Sequence, residues 1–278
     1  MVSQRRFLFL VSQVFTIGLA LLFLPAGACP EGNAIRPGDR VGVHFTCKFR
    51  NGDVAVSSYE SVADDPGVRK SPVFVRRKSG EPVRLTARTP GGAGDTGEER
   101  GFEDEVLFRL SGAITGLKPG ERQTREISAE RRPENRPGDY FLRVARVRQR
   151  QKEMRLTPED YKLRTGRAPE KGQPFTIDPA VPGKVSSVTE KEAVITFTAV
   201  PGSKVATAFG EATIKESANQ YQIVIDAQAG NLVRNTGYVG RIVGVDENFI
   251  SIDYGHPFGG DPLLCDIQVV EQQGPGVR

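Results

Sequence analysis

Alternation of apolar and polar residues predicts short strands along much of the chain. From Val41 to Phe49 every odd-numbered position is apolar, and the same holds from Leu263 to Val269. Successive side chains of a strand point to opposite faces, so each segment is expected to bury one face. The Asn51-Gly52 dipeptide is typical of a tight turn, and it predicts a hairpin between the first strand and the extended piece from Val54 to Ser58.

One segment has helical spacing instead. Its apolar residues recur along a single face and stop at Lys118-Pro119-Gly120, a sequence that ends helices. These residues are Phe102, Val106, Leu107, Leu110, Ile114 and Leu117. Further strands are predicted around Gln123–Ser128 and Tyr140–Val147. Because 31 Gly and 19 Pro also favour many turns, we expect a β-rich α+β protein.

Residues 156–261 are predicted to form a second β-rich region with an internal repeat. The segments 183–202 and 240–260 both read as strand, acidic turn, strand, and a loop with glycine and proline. Two copies are fewer than the three that a stacked repeat protein needs. We therefore interpret them as two small β-units, either side by side in one domain or as separate lobes.

The N-terminus has the order of an export signal. Two arginines precede an apolar run over residues 7–24, and Ala26-Gly27-Ala28 is a small-residue cleavage site. We predict a signal peptide over 1–28; an uncleaved anchor is the alternative, because the run is just long enough to span a membrane. The segment ending at Cys29 resembles a lipobox with Ala26 in the usual leucine position. The protein is thus expected in the periplasm or as a lipoprotein of the cell envelope anchored through Cys29.

The number of cysteines bears on whether Cys29 carries a lipid. Three cysteines in an exported protein leave one over after pairing. If Cys29 carries a lipid, Cys47 and Cys265 remain, and each lies on the apolar face of a predicted strand. Two interpretations stay open for them: a disulfide, or two reduced cysteines buried as small apolar residues.

Charge and motifs exclude several functions. Hydrophobic residues at 38% and a net charge of +4 describe a globular chain rather than a disordered or multi-span one. A basic cluster in the region 143–155 is interpreted as a solvated strand edge or linker, without nucleic-acid binding. It comprises Arg143, Arg146, Arg148, Arg150, Lys152 and Arg155. No zinc, phosphate-loop or nucleophile-elbow motif is present, so we expect no metal and no cofactor.

Three segments together resemble the FKBP-type peptidyl-prolyl isomerases, in particular the SlyD-like branch with an inserted chaperone domain. The first runs from Pro37 to Gly52 and ends in Ser57-Ser58. The second comprises Glu81–Thr86, Gly101–Val106 and Gly116–Glu121. The third is Ile252–Gly260 followed by Leu263–Val269, and it resembles the Asn-His-Pro-Leu-Ala-Gly turn and closing strand of that branch.

The resemblance implies an FKBP-like antiparallel sheet wrapped on one helix. Residues 29–155 and 262–278 would form this domain, and the two-unit β-rich domain of 156–261 would be inserted in it. In such a fold the first and last strands pair, which would bring Cys47 and Cys265 together.

The resemblance also assigns site residues. The substrate pocket would be lined by Phe45, Leu85, Phe102 and Cys265, and a peptide-holding surface would comprise Tyr254, His256 and Phe258. No single catalytic residue is assigned, because prolyl isomerisation needs an apolar pocket that favours the twisted amide and no covalent step.

These assignments predict a peptidyl-prolyl isomerase and folding chaperone of the bacterial cell envelope. Its partners would be unfolded or proline-containing polypeptides. The alternative is a catalytically inactive FKBP-like chaperone or scaffold module. It is motivated by Glu98-Glu99 in place of a backbone-contacting Val-Ile pair, and by Arg132-Pro133-Glu134 in place of a turn that carries a tyrosine.

Overall fold

The computed structural model describes residues 34–77, 80–90 and 99–273. The predicted signal peptide and Cys29 lie outside them. In chain order the elements are β1 (Arg40–Lys48), β2 (Val54–Ser57), α1 (Glu60–Asp64), β3 (Lys70–Arg76), β4 (Val83–Thr86), α2 (Phe102–Ala113), β5 (Arg122–Ile127), β6 (Phe141–Ala145), β7 (Val147–Gln151), β8 (Glu153–Leu156), α3 (Pro158–Thr165), β9 (Pro174–Asp178), β10 (Val181–Val188), β11 (Ala193–Phe197), β12 (Lys204–Thr207), β13 (Gly210–Glu216), β14 (Gln220–Ile225), β15 (Leu232–Asn235), β16 (Tyr238–Val245), β17 (Phe249–Asp253) and β18 (Leu263–Gln273). With strands predominating over helices in this part of the chain, the predicted β-rich α+β class is confirmed.

β1 is the central strand of a six-stranded sheet, which we call the frame sheet. It pairs antiparallel with β18, β2 and β4, and the order across the sheet is β3-β2-β1-β18-β5. The inward residues of β1 explain its central place, since Val41, Val43, Phe45 and Cys47 are at most 1% exposed. The expectation of a wholly antiparallel sheet is wrong at one edge, because β3 runs parallel to β2.

α2 packs its apolar residues into the same core as β1 and β18. Phe102, Val106 and Leu110 are fully buried there. Acidic residues occupy the first turn, where their negative charge interacts favourably with the positive end of the helix dipole. At the same end of the helix, the Phe102 N–H donates to the Gly237 carbonyl at 2.8 Å. The helix ends earlier than the apolar stripe predicts, because Gly116 follows with a φ of 85° and turns the chain.

A disulfide joins the two strands at the centre of the frame sheet. Cys47 and Cys265 lie directly opposite each other in the β1–β18 ladder, and their sulfur atoms are bonded. Both side chains are fully buried. The bridge therefore links the first and last strands across a sequence separation of 218 residues.

The rest of the described chain forms three four-stranded sheets around one shared core. Their strand orders are β8-β11-β10-β9, β12-β13-β14-β7 and β15-β16-β17-β6. Each sheet is a three-stranded unit to which the segment 141–156 adds one edge strand. The segments singled out in the sequence belong to the first and third units, and a middle unit lies between them. The sheets also extend back to residue 141, before the predicted boundary at 156.

Equivalent hydrogen bonds relate the three units. In each unit, a glycine in a tight turn donates its N–H to the carbonyl of a buried residue. The N–H of that buried residue donates in turn to the carbonyl of the residue that follows the glycine. The glycine and buried residue are Gly172 and Val185 in the first unit, Gly202 and Ile214 in the second, and Gly230 and Ile242 in the third. All three glycines have φ between 79° and 93°. The units are therefore structural repeats rather than unrelated hairpins.

The three units share a second equivalent position, at which a small residue on one strand faces a larger residue on the neighbouring strand. A Cβ on Gly183 would lie 2.6 Å from the Phe197 ring, and one on Gly240 would lie 2.8 Å from the Tyr254 ring. The middle unit has the smaller aliphatic pair Ala212 and Ile225 in register there. Where the residue on one strand is smaller, the residue on the other strand is larger, so the core stays filled in all three units.

We expect Gly183→Ala to destabilise the protein by about 1–3 kcal/mol, because the added methyl group overlaps a buried aromatic ring and the surrounding core is full. Urea unfolding measures this as a lower midpoint at an unchanged slope. Gly244→Ala is the matched control, since the nearest atom to its Cβ is 3.8 Å away. Equal stability of the Gly183→Ala variant and the parent would contradict the packing argument.

Candidate functional site

The four predicted pocket residues lie together, but in the interior. Phe45, Phe102 and Cys265 are 0% exposed and Leu85 is 7% exposed, and all four belong to the frame core. Cys265 is engaged in the disulfide. In this structure these residues present no open apolar wall to a substrate.

Phe258 contributes to filling this interior. Its ring packs edge-on against Phe102 with the ring centroids 5.8 Å apart, and its side chain is 2% exposed. Val239 and Leu232 of the third unit join the same core. The third unit therefore fills the space beside Phe102 with its own side chains.

His256 has a role in a turn. Its carbonyl accepts the Gly259 N–H at 2.8 Å, and Gly259 and Gly260 both have positive φ. A Cβ on Gly259 would lie 2.3 Å from Leu232, so this turn is packed closely onto β15. The predicted peptide-holding surface is consequently divided: Phe258 is buried, His256 shapes the turn, and Tyr254 borders a cleft.

This cleft has a volume of about 360 Å³ and lies between the third unit and two loops of the frame. Four aromatic residues contribute to its walls. The walls include Tyr140, Phe141, Tyr238 and Tyr254, together with Leu142 and Arg132. Glu99, Asp139, Asn235 and Thr236 complete the lining with polar groups. We call it the tyrosine cleft.

Arg132 fixes the geometry of the tyrosine cleft. Its guanidinium donates to the Tyr254 carbonyl at 2.6 Å and to the Arg100 carbonyl at 2.7 Å. It also lies 5.3 Å from the ring centroid of Tyr238 and 5.9 Å from that of Tyr140, within the range of cation–π attraction. One side chain thus connects the frame loop, the third unit and two aromatic walls.

The turn before Tyr238 is held in an uncommon conformation. Thr236 has a φ of 45° and Gly237 has a φ of 91°. Such a turn matches the twist of a two-residue hairpin, but it costs a non-glycine residue about 1 kcal/mol or more. The bond from the Phe102 N–H to the Gly237 carbonyl anchors the turn to the start of α2, so the position of Tyr238 depends on the frame.

The hydroxyls of Tyr140 and Tyr254 are donors at neutral pH. Burial raises the pKa of Tyr254, and burial together with the Glu99 carboxylate raises the pKa of Tyr140. The Tyr140 hydroxyl donates to the Pro133 carbonyl at 3.3 Å. The Tyr254 hydroxyl is buried and has no hydrogen-bond partner among the described residues.

Apolar surface borders the cleft on β6. Phe141 is 50% exposed and Leu142 is 40% exposed. β6 is the last strand of its sheet, so one of its edges has no strand partner within the described chain. An exposed edge next to aromatic walls can accept an extended polypeptide.

Most of these residues were not identified in the sequence. The sequence predicts that Tyr254 contacts peptides, whereas it assigns Tyr140, Phe141 and Tyr238 to no site. The available signal was their aromatic character beside the 133–138 loop and the hairpin turn.

Comparison with protein-family models and with curated proteins found no match. No helix among the described residues is long and apolar enough to cross a membrane.

Proposed function

We propose that the protein is a polypeptide-holding module built on an FKBP-like frame, which binds extended segments of other chains in the tyrosine cleft. The observation that carries the proposal is this aromatic cleft beside an exposed strand edge, adjacent to a pocket that Phe258 closes. The pairing of β1 with β18 and the packing of α2 support the FKBP-like frame.

The chemistry of the tyrosine cleft suits unfolded chain. Aromatic rings can bury the apolar side chains and proline rings of a bound segment. The free edge of β6 offers further backbone groups to an extended segment. The arrangement selects for exposed apolar sequence in an extended conformation rather than for one particular sequence.

Polypeptide holding is favoured over prolyl isomerisation because the predicted substrate pocket is filled. Catalysis would require the reacting amide to contact an open apolar pocket. Phe45 and Phe102 have no exposed surface in this structure. The turn that resembles the family's tyrosine turn has Arg132 instead, and this arginine holds the cleft together.

The proposed place of action is outside the cytoplasm. The N-terminal pattern predicts export, and the Cys47–Cys265 disulfide is of the kind that persists in oxidising compartments. Anchoring through a lipidated Cys29 would keep the holding module at the membrane surface.

We expect Leu142→Ala to weaken binding of a labelled unfolded, proline-containing polypeptide by about tenfold, because it removes exposed apolar surface at the cleft. Fluorescence anisotropy measures the affinity, and suppression of client aggregation measures the function. Leu163→Ala is the matched control, since Leu163 is 86% exposed on α3. Equal losses in the two variants would mean that binding is unspecific and would contradict the assignment to the cleft.

The isomerase remains the second candidate, because Phe45, Leu85 and Phe102 converge in one core as the resemblance implies. An assay of cis-to-trans conversion separates the two functions. Holding alone predicts the uncatalysed rate with both a peptide and a protein substrate. A faster rate that Phe102→Ala abolishes would establish the enzyme instead.

A further inference from the structure

The edge strands β6, β7 and β8 place equivalent residues at intervals of six along the chain. In each strand two residues lie directly opposite buried residues of the neighbouring strand and so lie on the same face of the sheet as those residues, although Leu142, near the start of β6, is 40% exposed. The pairs are Leu142 with Ile252 and Val144 with Ile250 in the third unit, Arg148 with Ile223 and Arg150 with Tyr221 in the middle unit, and Met154 with Ile195 and Leu156 with Ala193 in the first unit.

The middle unit therefore has two arginines where the other units have apolar residues. Their register partners Ile223 and Tyr221 are 0% and 7% exposed. Arginine stems can cover apolar surface, but the guanidinium group needs acceptors wherever water is excluded. A pair of inward arginines is thus unfavourable unless acceptors are supplied.

The described residues leave donors of both arginines without hydrogen bonds. Arg148 forms an ion pair with Asp178 at 3.0 Å, and Asp178 is 3% exposed. The Nε atoms of Arg148 and Arg150 are both buried without a hydrogen-bond partner in the described chain. The Arg150 side chain has neither an ion pair nor a hydrogen bond with any described residue, and the Asp178 oxygen next to Arg148 is itself buried without a hydrogen bond.

We propose that Arg148 and Arg150 bind a small oxyanion, a carboxylate or a phosphate group, at the open edge of the middle sheet. Residues two apart on a strand are about 7 Å apart on one face, a spacing at which two guanidinium groups can converge on one anion. Guanidinium donors match such oxygens in a bidentate manner. β7 is the last strand of its sheet, so one of its edges has no strand partner among the described residues. This site is separate from the tyrosine cleft and does not depend on its function.

Thermal unfolding of the full chain in phosphate, in acetate and in chloride at matched ionic strength tests the site. We expect phosphate or acetate at about five times its Kd to raise the unfolding midpoint by about 2–4 °C over chloride. Arg150→Leu copies Leu156 of the first unit and should abolish this rise. The two salts distinguish a phosphate ligand from a carboxylate.

Two further variants complete the test. Arg155→Leu, which removes an exposed arginine paired with Glu153 and Glu192, should keep the full rise. Arg150→Lys keeps the charge without the bidentate fork and should show a smaller rise, which decides the matter if Arg150→Leu fails to fold. Equal midpoints in all three salts, or an undiminished rise in the Arg150 variants, would overturn the proposal.

Discussion

Removal of the Cys47–Cys265 disulfide is expected to lower the free energy of unfolding by up to about 5 kcal/mol. The bridge closes a loop with a sequence separation of 218 residues. In the chain-entropy model such a loop restricts the unfolded chain strongly, and this sets the upper value. Because whole domains are stable by only about 5–15 kcal/mol, the bridge would contribute a large part of the total.

Urea unfolding with and without a thiol reductant measures this contribution. The double variant Cys47→Ala, Cys265→Ala is the control, since its stability should be low and insensitive to reductant. Thiol counting on the denatured, unreduced protein gives an independent check. Two reactive thiols at positions 47 and 265 would show that the bridge does not form in the protein.

The sequence predicts the frame elements well because local rules determine them. β1 alternates between apolar and polar residues, and Asn51-Gly52 marks the turn that follows it. α2 begins at Phe102, the first residue of the predicted apolar stripe. Each feature depends on neighbouring residues only, so no knowledge of distant contacts is needed.

The middle unit was missed for an identifiable reason. The first and third units each have a β-bulge after their buried residue, at Val185 and Ile242, which adds one residue before the next strand. The β13–β14 pair has no such shift in register. Its hairpin is therefore one residue shorter, and Ala212 with Ile225 replaces the glycine and aromatic residue that made the other copies recognisable.

The tyrosine cleft could not be predicted from local patterns. Tyr140 and Tyr254 approach each other because β6 pairs with β17, more than a hundred residues later in the chain. Tyr238 joins them because the hairpin turn is anchored to the start of α2. Long-range pairing of this kind leaves no periodicity in the sequence, so the aromatic residues look like isolated positions.

The closed pocket, like the tyrosine cleft, depends on contacts between residues far apart in the sequence. Alternation places Phe45 and Cys265 on buried faces, but it does not indicate which side chain covers them. Phe258 lies within the turn that begins at His256 and has no periodic pattern around it. In the structure its ring packs against Phe102, and this contact joins the third unit to the frame core.

Phe258→Ala is therefore expected to lower the free energy of unfolding by about 3–5 kcal/mol. The side chain is 2% exposed, and its removal would leave a cavity beside Phe102 that neighbouring groups can fill only in part. Phe249→Ala is the matched control, because Phe249 is 39% exposed on the outer face of the third sheet and should cost far less. Urea unfolding of both variants measures the difference, and similar losses would contradict the role of Phe258 as the cover.

The same variant tests what the cover does for function. If Phe258 is what closes the pocket, its removal exposes the aromatic wall that Phe45 and Phe102 provide. The cis-to-trans rate of a proline peptide should then rise above that of the parent, while Phe249→Ala leaves it unchanged. A stable Phe258→Ala variant with the uncatalysed rate would mean that these buried aromatic residues serve the core alone, and that the tyrosine cleft acts without any catalytic pocket beside it.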